Sequence, residues 1–252
     1  MNLKSVDQWE TFKIDLSYHG VLFSGYAIQP APLRTVQAEL EKILSYLFQA
    51  KIKLIASGRT DAKAHALHQV CSFRVINYHH ITATTIYHYL IKNVSEDIYI
   101  IAVSKVKNDF HAQLSVKSKT YLYIIQKKFD LTQVHLSYYC DQVIDIDKLK
   151  QCLNLFLGTH DFYSFTNTDQ KQNTIRTINF IKLQETKKQI KILINGSGFM
   201  RYMVRMLLGV ALKYATNKIS WSFVIDKLSN PKKGSAIYKL PASGLFLKKI
   251  YY

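Results

Sequence analysis

Acidic side chains are scarce: against 34 Lys and Arg the chain carries only 17 Asp and Glu, a formal net charge of +17. Such an imbalance disfavours basic partners and favours a polyanion, because each phosphate neutralised releases condensed counterions. The cations are scattered apart from pairs such as Lys127-Lys128, Lys187-Lys188, Lys232-Lys233 and Lys248-Lys249, which suits a broad folded surface better than a basic tail. A lysine bias of the whole genome would give the same excess. Cysteine is rare too. Cys71, Cys140 and Cys152 are an odd number at wide spacing, which argues for reduced thiols buried as small hydrophobes in a cytosolic protein. No apolar run approaches the ~20 residues of a membrane span, and no amphipathic basic helix points to a lipid surface. The first ten residues lack the apolar core and small-residue cleavage site of a secretory signal. A cytoplasmic location without membrane contact is therefore expected.

Of the 252 residues, 48% are hydrophobic, enough for a substantial core. Phe12–Tyr18 alternates apolar and polar positions, as a half-buried strand does, and His19-Gly20 turns it. Pro30 and Pro32 interrupt regular structure. Thr35 is placed to cap a helix to Phe48, with Val36, Leu40, Ile43, Leu44 and Leu47 at helical spacing. Strands are expected at Lys51–Ala56 and Gln69–Val75, a helix at Thr82–Lys92 and a strand at Ile98–Val106. In the second half, strands are expected at Lys119–Ile125, Ile175–Leu183, Gln189–Ile194 and Leu245–Tyr252. Asp147 could cap a helix reaching Phe156, with Gly158 just past its end. Thr159–Asn173 reads as a polar loop and Phe199–Tyr214 as a helix. Each half thus reads strand, helix, strand, strand, helix, strand. The simplest architecture is α+β, two similar halves sharing one mostly antiparallel sheet, with a soft boundary between residues 107 and 108.

The densest group of chemically capable side chains is Ser57-Gly58-Arg59-Thr60-Asp61-Ala62-Lys63-Ala64-His65-Ala66, on a loop between two expected strands. An aspartate in a glycine-containing loop is more often a turn residue than a catalyst. Arg205 is the second unusual residue, set in the apolar segment Met203–Leu208. A buried arginine needs an anion. Asp61 would serve, and the arginine would keep it ionised; otherwise Arg205 faces solvent or RNA. His65-x-x-His68-x-x-Cys71 has the look of a metal trio but crosses from loop into strand with no fourth ligand. There is neither a Walker A loop nor a dinucleotide fingerprint. Asp61 lacks a second carboxylate in its loop, which counts against glycosidase and two-metal nuclease chemistry. No cofactor and no metal are expected.

Taken in order, several motifs are similar to those of the tRNA pseudouridine synthase A (TruA-type) family, over nearly the whole chain. They are Tyr18-His19-Gly20 with Phe23-Ser24-Gly25-Tyr26-Ala27-Ile28-Gln29, and Thr35-Val36-Gln37. Gly58-Arg59-Thr60-Asp61 follows with His65-Ala66, then Phe110-His111-Ala112 with Ser115, Lys119, Tyr121 and Tyr123. The set closes with Gly158–Phe162, Ser164-Phe165, Arg176-Thr177-Ile178, Gly196-x-Gly198-Phe199-Met200, Met203-Val204-Arg205 and Pro241-Ala242-x-Gly244-Leu245. The resemblance implies a pseudouridine synthase fold with two ferredoxin-like halves and an active-site cleft between them. It implies isomerisation of uridine at positions 38, 39 and 40 of the tRNA anticodon stem-loop, by a homodimer. Asp61 matches the nucleophile, Arg205 its ion-pair partner and Arg59 the arginine that displaces the uridine from its stack. Tyr121 matches the base-stacking tyrosine and Leu245 an apolar pocket wall, while His65 and Lys119 fall on the substrate side. An aromatic platform and an arginine wedge suit a target that must leave its stack.

The chain departs from the family pattern at His19 for Asp, Tyr26 for Trp, Lys63-Ala64 for Gly-Val, Gln113 for Arg and Met206 for Asn. Lys63 matters most, since the glycine it replaces would allow a left-handed backbone that lysine takes only at a cost. Two rivals stay open. One is a tRNA-binding or RNA-chaperone relative weakened in catalysis. The other is a nuclease or glycosidase-type enzyme, which needs clustered carboxylates or metal.

Overall fold

The computed structural model describes residues 9–30, 33–76, 80–167 and 173–252. Pro32 and most of the amino-terminal segment considered above lie outside them. The chain divides into two compact units, Met1–Lys117 with Leu247–Tyr252, and Ser118–Phe246. The expected boundary after 107 falls earlier than this. Residues 108–117 stay with the first unit because Ala112 N–H donates to Ser72 Oγ (3.2 Å), Tyr252 OH to the Ala112 carbonyl (2.8 Å) and Lys117 N–H to the Tyr251 carbonyl (2.8 Å).

The first unit runs β1 (Trp9–Tyr18), α1 (Val36–Phe48), β2 (Ile55–Ala56), β3 (His65–Ile76), α2 (Ala83–Asn93) and β4 (Ile98–Val106). The central strand β1 pairs antiparallel with β3 and with β4. Thr35 Oγ1 accepts the Ala38 N–H and starts α1, which buries Val36, Leu40, Leu44 and Phe48. Thr82 caps α2 in the same way. Each buried Leu or Phe of this kind contributes roughly 1.5–3 kcal/mol. The strand expected over Lys51–Ala56 shrinks to two residues. Ile52 and Leu54 are buried as its alternation required, but their N–H groups go to Ser45 Oγ (2.9 Å) and Glu41 Oε1 (2.7 Å) instead of a ladder. An extended backbone whose donors are satisfied by helix side chains needs no strand partner.

The second unit contains β5 (Ser118–Gln126), β6 (Tyr138–Tyr139), α3 (Ile146–Leu155), β7 (Gly158–Asp161), β8 (Ile175–Glu185), β9 (Gln189–Gly196), α4 (Met203–Ala215) and α5 (Trp221–Ser229). Strand β10 (Leu245–Tyr251) begins here and ends in the first unit. Strands β5, β9, β8 and β7 are antiparallel neighbours in that order, with α3 packed on α4. Three expectations are corrected. The cap of α3 is Asp145, whose Oδ1 accepts the Lys148 N–H at 3.0 Å; Asp147 lies in the first turn. Part of the expected loop from Thr159 is β7 and a 3-10 turn at Tyr163–Phe165, where Phe162 and Phe165 are fully buried. The helix expected from Phe199 begins at Met203, because Tyr202 is left-handed (φ 65°). The helix α5 was readable from Ser220, which caps it through the Phe223 N–H.

Candidate active site

The loop 57–64 joins β2 to β3 and is pinned along its length. Ser57 N–H donates to the Val70 carbonyl (2.8 Å), and Ser57 Oγ to Gln69 Oε1 (2.7 Å). The amide nitrogen of Gln69 donates to the Gly58 carbonyl at 2.7 Å. Farther along, Thr60 shares a hydrogen bond with the Tyr18 hydroxyl (2.7 Å), and its carbonyl accepts the Tyr26 N–H (3.2 Å). Lys63 N–H donates to the Phe23 carbonyl and Ala64 N–H closes a turn onto the Asp61 carbonyl. Backbone alone does this holding at two glycines. A Cβ on Gly20 would run into the Ala64 carbonyl, and one on Gly25 (φ 109°) would stand 3.0 Å from the Thr60 carbonyl oxygen. Lys63 adopts φ 65°, so the lysine takes, at a cost, the left-handed backbone that a glycine would enter freely.

Out of this frame the Asp61 side chain emerges half-buried, while Arg59 is exposed. His65 is 1% exposed; its Nδ1 accepts the Gly20 N–H at 3.1 Å and its ring meets that of His19 at 4.7 Å. His68 bonds Asp15 through Nε2 (2.9 Å), and its Nδ1 accepts the Ile250 N–H. Burial would raise the Asp15 pKa, yet the hydrogen bonds to His68 and Lys13 hold it below its ordinary value. Burial pushes the Cys71 thiol up to about 12. A register shift interrupts the alternation of β3 between Ala66 and Gln69, so Cys71 lies on the face opposite both histidines and the trio does not converge. Tyr26, in place of tryptophan, is 1% exposed with its hydroxyl lacking a hydrogen bond of ordinary geometry.

In the second unit Lys119, Tyr121 and Tyr123 share one face of β5, opposite Gly196, Ile194 and Ile192 of β9. The Tyr121 ring is 7% exposed and meets Phe199 edge-on at 5.2 Å. Burial, and then the Arg176 charge, lower the Lys119 pKa to about 8. Arg205, 9% exposed, donates from Nε to the Leu240 carbonyl at 2.7 Å, and its own carbonyl accepts the Leu240 N–H. The Tyr123 hydroxyl reaches the Pro241 carbonyl at 2.8 Å. The run Leu240–Leu245 is thereby fixed against both α4 and β5, with Leu245 buried at its end. The Tyr202 ring collects three cations, Arg201 at 4.7 Å, Arg205 at 5.5 Å and Lys239 at 4.1 Å. Sequence reasoning missed Arg201, Tyr202 and Lys239, because the approach of Lys239 depends on a return of the chain that no local pattern announces. The other motif histidines serve the fold: His111 Nδ1 accepts the Gln113 and Leu114 N–H groups, and His160 bonds the Leu157 carbonyl.

A family model described as tRNA pseudouridine synthase matches residues 153–252. The tRNA pseudouridine synthase A of Malacoplasma penetrans (strain HF-2) is 44% identical over 244 residues, covering 96% of this chain and 100% of that one. That of Ureaplasma parvum serovar 3 (strain ATCC 27815) is 43% identical, with 96% and 99% covered. A chain of the solved "Cbf5-Nop10-Gar1 Complex" overlaps at TM-score 0.36 and 12% identity, covering 79% of this chain and 46% of that one, too loosely to carry an argument.

Proposed function

The chain belongs to the tRNA pseudouridine synthase A family, and on that premise we propose that Asp61 is its nucleophile. The protein is a tRNA uridine-to-pseudouridine isomerase. The reaction breaks the bond between the sugar C1′ and N1 of the base and forms one between C1′ and C5. The C5 proton is lost and N1 gains one, so atoms and electrons balance within the substrate. One ionised carboxylate can start it, by attack on the sugar, by addition to the base or by taking a sugar proton. The observation that carries the assignment is the Asp61 loop, held on both flanks by main-chain and side-chain hydrogen bonds while Asp61 itself stays half-buried. A rigidly presented nucleophile spends no binding energy on its own ordering.

The proposed roles follow the family motifs. Arg59 displaces the uridine from its stack, Tyr121 supports the extruded base and Leu245 walls the pocket. Lys119 meets substrate charge. His65 acts indirectly, its buried ring accepting the N–H of Gly20, which packs against Ala64 of the loop. Arg205 acts electrostatically on Asp61. The proposed targets are positions 38, 39 and 40 of the tRNA anticodon stem-loop, modified without cofactor by a cytoplasmic homodimer. No helix among the described residues is long and apolar enough to cross a membrane.

The test is incubation with unmodified tRNA in EDTA, followed by mapping of pseudouridine through chemical adducts and primer extension. Product in the anticodon stem-loop supports the reading. Binding without product points to a weakened relative, and strand cleavage restored by metal points to a nuclease. Asp61→Asn should abolish turnover, a loss of about 10⁴-fold or more, while tRNA affinity stays near wild type. Appreciable product from that variant would refute the nucleophile. In a double-mutant cycle, Arg205→Ala should cost much less in the Asp61→Asn background than in the wild type; additive losses would refute the coupling.

A further inference from the structure

Arg201 and Lys239 are exposed, and among the described residues neither lies within ion-pair distance of a carboxylate. With the buried Arg205 they gather around the single ring of Tyr202. The Arg201 guanidinium also donates to the Tyr202 hydroxyl at 2.8 Å, and Thr166 Oγ1 holds the Arg201 carbonyl at 3.0 Å. Cation–π attraction of about 0.5–2 kcal/mol each draws the charges to the ring. The mutual repulsion of Arg201 and Lys239 would be relieved by an oxyanion between them. The ring is occupied by cations and so is poorly placed to stack a base, whereas the exposed cationic heads of Arg201 and Lys239 are open to an oxyanion. Tyr202 directly precedes α4, and Arg205 lies in the first turn of that helix.

We propose that Arg201, Tyr202 and Lys239 form a phosphodiester-binding subsite that holds the RNA backbone beside Arg205. The proposal rests on the reading of this protein as a tRNA-modifying enzyme. Arg201 and Lys239 would contact phosphate, and Tyr202 would act as a positioning residue that keeps the two cations together. Such contacts carry register and affinity but no base identity. They would place the strand so that the extruded uridine reaches the Tyr121 side of the same unit.

The test measures tRNA affinity of the full-length protein across a salt series. Replacing Arg201→Gln and Lys239→Gln together should weaken binding about tenfold near 100 mM salt. The slope of log affinity against log salt should fall by about 1.5, the share of two phosphate contacts. The loss should appear mainly in KM for tRNA. Tyr202→Leu, which keeps both cations but removes the ring that gathers them, should give part of the same loss, and Tyr202→Phe should restore most of it. The paired change Lys187→Gln with Lys188→Gln, on the exposed turn between β8 and β9, removes equal charge elsewhere. An equal effect from that control, or an unchanged slope in the first pair, would overturn the subsite. Thermal unfolding of each variant separates lost binding from lost fold. If the wild-type protein makes no pseudouridine, it is the functional reading that fails; an active wild type with an unchanged variant slope refutes the subsite alone.

Discussion

Asp61 and Arg205 are positioned by different means. The Asp61 loop is held through its flanking residues, by main-chain bonds, by the Gln69 amide and the Tyr18 hydroxyl and by the missing side chain of Gly20, so its shape does not depend on the Asp61 rotamer. Arg205 is held through its own guanidinium, by the Leu240 carbonyl and the Tyr202 ring. The difference suits the assignments. A nucleophile must arrive at one point in space, whereas a cation acting over distance tolerates a side-chain mount.

The comparison can be broken at its stiffest point first. Gly20→Ala sets a methyl group against the Ala64 carbonyl and should destabilise the protein on the order of 3 kcal/mol, read by urea unfolding. A neutral effect would mean that the loop gives way, and that backbone holding does not explain it.

Next comes pH, through Lys119. Its folded-state pKa of about 8 lies below the ordinary 10.5, so the buried charge costs stability at neutral pH. Between those values the unfolded chain binds more protons, and stability should rise with pH, by roughly 2–3 kcal/mol in all. Lys119→Met should flatten that rise. In the same range the lysine loses its charge, so tRNA affinity should decline above about pH 8, and Lys119→Arg should remove the decline. Equal pH profiles for all three proteins would show that Lys119 is neither strained nor in contact with substrate.

A smaller effect tests the side-chain mount of the second unit. Tyr123→Phe strands the Pro241 carbonyl and should cost about 1–2 kcal/mol, with a larger fractional loss in activity than in tRNA binding. The smallest is Lys63→Gly. It relieves a left-handed lysine and should stabilise by about 1 kcal/mol, a gain that appears only if the loop keeps its present backbone.

The first unit was legible in the sequence nearly throughout, because local rules and tertiary contacts agree there. Thr35 and Thr82 cap where helical periodicity begins, and β1 alternates against a sheet. The second unit was less so. Its α4 starts late because Tyr202 turns the chain left-handed, a choice that no tyrosine signals. Asp145 and Asp147 are equivalent as capping residues in isolation, and packing of Leu149, Cys152 and Leu153 decides between them.

By itself the sequence determined the charge, the α+β order and the family, the last through motifs whose residue types the chemistry restricts. It also marked Lys63 as the position where a lysine stands for a glycine that enters the left-handed region freely. Tertiary structure alone decided that Cys71 turns away from His65 and His68, since the register shift in β3 is set by its pairing with β1. It alone decided that Lys239 reaches the Tyr202 ring, because contacts between residues distant in the chain are set by the packing of elements and not by any local pattern.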